Sequence, residues 1–137
     1  MIQFDSKSST LYSPRTMSYE FYKIFHIIGL LVTVFGLFGM AVVSWNQSTL
    51  RPQLKKTFMM SHGVGLFLLI VAGFGMAAKL GLMKNLPHWI YGKLVIWVLV
   101  GGLVALIKRK PEKSALWIIL TFALVISAAI LAIEKPF

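Results

Sequence analysis

Four long apolar stretches follow one another after Tyr19, separated by short segments rich in lysine, arginine, proline and asparagine. They cover about residues 19–45, 58–80, 87–107 and 114–133. Each is close to the roughly 20 residues that an α-helix needs to cross the hydrocarbon of a bilayer. A backbone in lipid must satisfy its own hydrogen bonds, which leaves the helix as the natural form for such runs. The pattern therefore predicts an all-α fold, an integral membrane up-down four-helix bundle over residues 19–137. Residues 1–18 are polar, rich in serine and threonine and without apolar periodicity, so they are expected to form a disordered N-terminal extension. Met17, which opens MSYEFYKIFHIIGLL, reads as a natural start of translation.

Within the runs, small and weakly polar residues recur at helical spacing. The first carries His26, Gly29, Thr33, Gly36, Met40 and Ser44 on one stripe, the second His62, Gly65, Leu69, Ala72 and Met76, and the fourth Thr121, Ala128 and Ala132. Such stripes let helices approach closely in lipid, so these faces are expected to point inward. Tyr19, Tyr22 and Trp45 stand where aromatic side chains mark the two interfaces. Short loops are predicted at 46–57, 81–86 and 108–113. Pro87 suits the first turn of the third helix, which puts His88 at the interface.

Composition supports this reading. The 137 residues are 58% hydrophobic with mean hydropathy +0.80, and only 13% are charged, against about 25% in soluble domains. Fourteen Lys and Arg face four acids. The basic residues gather at the ends of the apolar runs, an arrangement suited to anionic lipid headgroups and not to nucleic acid. Arg51, Lys55 and Lys56 lie in one short loop, and Lys108, Arg109, Lys110 and Lys113 in another. The basic residues total seven on each side, falling to five on the side of the termini if translation starts at Met17; because the other seven are concentrated in two short loops, the positive-inside rule predicts that loops 46–57 and 108–113 are cytoplasmic and that both termini are external, in a cytoplasmic (inner) membrane.

There is no cysteine, which excludes disulfides, thiolate metal sites and iron–sulfur clusters. No His-Glu-x-x-His, Walker loop, nucleophile motif or intramembrane carboxylate pair occurs either. The chemistry left is that of three histidines. His26 lies about two turns inside the first span, where an ionisable side chain is costly, and is a candidate haem ligand. Lys93, inside the third span, either lifts its ammonium to the near interface or, with Tyr91, holds the anionic edge of a cofactor. Antiparallel spans place His26 and His62 about 20 Å apart in depth, too far to share one iron, whereas His88 falls near the depth of His26. His26 and His88 are thus the pair open to a bis-histidine haem b. His62, with Met59 and Met60, is a candidate copper site. Three functions follow: a b-haem or quinone-linked redox protein with a membrane redox partner or a second copy of itself; a non-catalytic scaffold or accessory subunit whose histidines serve packing; and a copper-handling membrane protein.

Several segments resemble the SirB-like family of small bacterial membrane proteins. They are Lys23-Ile-Phe-His26, Met60-Ser-His62 with LFLLIVAGFGMA, Trp89-Ile-Tyr-Gly-Lys93-Leu, and the tail LAIEKPF. The first-span histidine and the W-x-x-x-K spacing are also similar to HemJ-type protoporphyrinogen oxidases, and the four-span layout to CopD-like proteins. The HemJ resemblance implies that His26 binds haem and that Lys93 matters for activity. The chain departs from that pattern in lacking an F-Y-L-P-R-L segment and an early acid in the second span. Val64 and Gly65 stand where an aspartate often follows the SirB-like histidine.

Overall fold

The computed structural model describes residues 17–45 and 52–135. The proposed N-terminal extension lies almost wholly outside these residues. The regular structure among them is helical: α1 (Tyr19–Trp45), α2 (Pro52–Lys79), α3 (His88–Arg109) and α4 (Ser114–Glu134), with 3-10 turns at Leu82–Lys84 and Pro111–Lys113. All four helices are long and apolar enough to cross a membrane.

The expected loop 46–57 is shorter than its polarity implied, because α2 starts at Pro52, six residues before the apolar run at Phe58. Proline at a first helical position loses no needed hydrogen bond, and Gln53, Leu54, Lys55 and Lys56 are all good helix formers. Thr57 donates to the Gln53 carbonyl at 2.9 Å within this added turn. At its other end α2 is closed by Gly81, whose φ of 71° is the left-handed conformation that glycine adopts without strain. Pro87 stands one residue before α3 in an extended conformation, and His88 is the first helical residue. The α3–α4 connection is tight. Ser114 donates to the Pro111 carbonyl at 2.6 Å, and Trp117 Nε1 to that of Lys110 at 3.3 Å.

α1 is the central helix and buries Gly29, Thr33, Gly36, Met40 and Ser44, as its stripe predicts. It packs most closely on α2. A Cβ on Gly29 would lie 3.0 Å from Leu69 N and 3.1 Å from Gly65 O, one on Gly36 would lie 2.5 Å from His62 N, and one on Gly39 would strike the ring of Phe58. As contacts advance along α1 they retreat along α2, so the pair is antiparallel. Trp97 on Leu66 and Lys108 on Met59 give the same sense for α2 and α3.

The core is concentrated at one end. Leu37, Met40 and Ala41 meet Leu103 and Ile107 there, with Phe58, Trp117 and Ile118 packed around them. The buried residues of α3 are Val100, Leu103 and Ile107, and those of α4 are Ser114 and Thr121. The first half of α3 and the last half of α4 therefore bury no residue fully. On α4 the predicted stripe holds at Thr121 but not at Ala132, which is exposed. Around the outside stand apolar side chains such as Leu31, Phe35, Phe67, Val98, Ile119 and Ile126.

Candidate functional site

The α1–α2 pair contains an internal repeat that a reading of stripes alone misses. HIIGLLVTVFGLFGMA, from His26, and HGVGLFLLIVAGFGMA, from His62, agree at seven of sixteen positions, including the histidine, the following Gly-Leu and the closing Phe-Gly-Met-Ala. The contacts obey the same correspondence. Gly39 meets the ring of Phe58, while its counterpart Gly75 meets the ring of Tyr22. Gly29 meets Leu69 N and Gly65 O, while Gly65 meets Thr33 N and Gly29 O. The two helices are thus related by a pseudo-two-fold axis normal to the layer they form.

The histidines follow this symmetry. His26 Nδ1 is 3.1 Å from the Leu69 carbonyl, and His62 Nδ1 is 3.1 Å from the Thr33 carbonyl. Leu69 lies seven residues after His62, and Thr33 seven after His26. A carbonyl only accepts, so Nδ1 carries the proton in both rings and Nε2 of the neutral imidazole carries the lone pair. An Nδ1–H bond to a backbone carbonyl also orients histidines that ligate a metal through Nε2.

The surroundings differ. His62 is 2% exposed, and its Nε2 is buried without a hydrogen-bond partner among the described residues. His26 is half-buried, on the loosely packed end, with its ring over Gly73: a Cβ there would lie 3.6 Å from His26 Cε1. His62 lies at the level of Gly36, ten residues from His26, so their separation is about 15 Å in place of the expected 20 Å. The helices cross nearer to the histidines than the centres of the apolar runs indicate. One iron still does not reach both.

The remaining site residues lie at the start of α3. Lys93 is half-buried and turns back over the Trp89 ring, 4.8 Å from its centroid, toward the end of the helix. Lys135, in a left-handed conformation with φ of 44° after α4, places its ammonium 5.6 Å from the same ring. Two ammonium groups therefore converge on one indole. The only salt bridge among the described residues joins Glu20 and Lys23 at 4.0 Å, so neither of these lysines has a carboxylate partner there, and Glu134 is exposed. Tyr91 is exposed and meets His88 with ring centroids 6.5 Å apart. His88 is exposed too, and no hydrogen bond links it to His26 among the described residues. The Met59 sulfur accepts from Lys108 Nζ at 2.8 Å. Among the described residues no group of three or more His, Cys, Asp or Glu forms a metal-binding cluster. Trp89, Gly73 and Lys135 are thus additions to the predicted set. W-x-x-x-K, at i and i+4, was the available signal for Trp89.

No family model matches the chain, and neither a curated protein nor a solved structure matches it.

Proposed function

We propose that the chain is an integral protein of a bacterial-type inner membrane, an up-down four-helix bundle that binds haem b at the His26 end for redox chemistry. The outward apolar side chains support insertion, since Leu31 is 64% exposed, Ile119 66% and Ile133 78%, a surface suited to lipid and costly in water. The observation that carries the haem reading is the setting of His26. Its Nδ1–H is held by the Leu69 carbonyl, so Nε2 carries the lone pair that iron would take, at the end of the bundle where the first half of α3 and the last half of α4 bury no residue fully.

Lys93 and Lys135, sharing Trp89, supply cationic partners for propionates. In a low-dielectric setting two like charges at one ring favour an anion between them. Bound haem would supply one-electron chemistry; the protein's part is to ligate through His26, orient it through Leu69 and neutralise the propionates. His88 is the second-ligand candidate. The short SirB-like and HemJ-like segments, which contain His26 and Lys93, fit this assignment.

The second reading, a scaffold or accessory subunit, draws on His62. It makes the same histidine–carbonyl bond while fully packed, so this bond also serves as a helix-pairing device. The copper reading has less support because Met59 is engaged by Lys108. An absorption spectrum and metal analysis of protein purified in mild detergent from haem-supplemented cells separate the three. Haem gives a Soret band with one iron per chain, the copper reading gives copper without that band, and the scaffold gives neither.

A further inference from the structure

We propose that the basic cavity at the opposite end, between the end of α1, the start of α2 and the end of α3, is a binding site for a phosphate group, carried by an anionic phospholipid or by a soluble phosphate. The cavity is about 550 Å3, walled by Met40 and Ser44 of α1, Lys55, Lys56 and Met59 of α2, and Lys108 of α3. No carboxylate among the described residues lines it. Glu112, in the turn beside it, is exposed and bridges to none of the three lysines.

Three observations point to an anion. Three lysines line one cavity and, among the described residues, none of them has a carboxylate partner, a concentration of positive charge that an anion relieves. Lys108 Nζ rests 2.8 Å from the Met59 thioether, a weak acceptor that leaves most of the ammonium's hydrogen-bonding capacity unused. The first turn of α2, a 28-residue helix, forms part of the wall and brings the positive pole of the helix to the cavity.

Size and surface identify the class. The volume is well above what a monatomic anion fills, and three lysine point charges suit the several oxygens of a phosphate. Met40, 1% exposed, and Met59 give the cavity an apolar floor that accommodates the glycerol or acyl part of a lipid. The site lies where α1 and α3 end and α2 begins, the depth of headgroups if the helices span the bilayer. It is remote from His26, so its test is independent of the haem assignment.

The experiment is thermal unfolding, followed by tryptophan fluorescence, of delipidated protein in nonionic detergent. Short-chain phosphatidylglycerol, phosphatidylcholine of the same chain length and inorganic phosphate are added separately. Phosphatidylglycerol is expected to raise Tm where phosphatidylcholine does not, with the rise absent in K55Q/K56Q/K108Q. It is expected to persist in K23Q/K79Q/K84Q, which removes as many charges elsewhere. Inorganic phosphate that reproduces the rise with the same lysine dependence assigns the site to soluble phosphates; its failure to do so assigns it to lipid. A rise equal for both lipids, a rise that survives in K55Q/K56Q/K108Q, or none with either phosphate source overturns the proposal.

Discussion

Gly36, like Gly65, is a place where α1 and α2 come close to backbone-on-backbone contact. A Cβ there would stand 2.5 Å from His62 N, 2.6 Å from Phe58 O and 2.9 Å from His62 Cα, and backbone within a helix does not yield as a side-chain tip does. Gly36→Ala should force the pair apart at a cost of about 1–3 kcal/mol, as overpacking does elsewhere. Gly63 and Gly102 meet nothing within 4 Å of an added Cβ. Their alanine variants should be neutral or gain up to about 1 kcal/mol of helix propensity. Reversible unfolding in mixed detergent micelles measures all three. Equal effects at Gly36 and Gly102 would refute the packing register. Trp97 Nε1 donates to the Leu66 carbonyl at 3.0 Å, so Trp97→Phe should cost about 0.6 kcal/mol, the average for such bonds between membrane helices.

At the scale of elements, the helices and the inward face of α1 were legible because apolar length and small-residue spacing are local properties, whereas the α4 stripe failed at the exposed Ala132. Gly29, Thr33, Gly36, Met40 and Ser44 are all buried as the stripe of α1 indicates. The start of α2 was not legible from hydropathy, since Pro52–Thr57 is helical but polar. Hydropathy marks where hydrocarbon ends, whereas capping and propensity decide where the helix ends. The pairing of His26 with Leu69 and of His62 with Thr33 was written in the 36-residue repeat, but as a relation between two segments and not within either. The position of Lys135 beside Trp89 depends on the α3–α4 packing and the left-handed residue after α4, and neither is a local signal. The α2–α3 turn supplies a test at this scale. Gly81→Ala must hold φ near 71°, which should cost about 1–2 kcal/mol, again by unfolding in micelles. An unchanged stability would mean that the turn adopts another conformation.

The whole molecule is a tight antiparallel pair with a second pair packed against it chiefly at one end. The fourteen Lys and Arg divide evenly between the two sides, but seven are concentrated in the two short segments 46–57 and 108–113, and that concentration predicts a direction of insertion. Reporter fusions are expected to be cytoplasmic at Lys110 and external after Phe137; the reverse pattern would refute that orientation. The central claim is that the pseudo-symmetric pair carries two histidines held alike, of which His26, at the loosely packed end, takes the cofactor. The direct measurement is the Soret absorbance of wild-type, His26→Ala and His62→Ala proteins, each purified from haem-supplemented cells and confirmed to have inserted in the membrane. The account predicts a band in the wild type, its loss in His26→Ala and its retention in His62→Ala, because about 15 Å of helix separates His62 from His26. A band that survives His26→Ala but disappears in His62→Ala would place the cofactor at the wrong end of the repeat, and no band in the wild type would leave both histidines as helix-pairing residues.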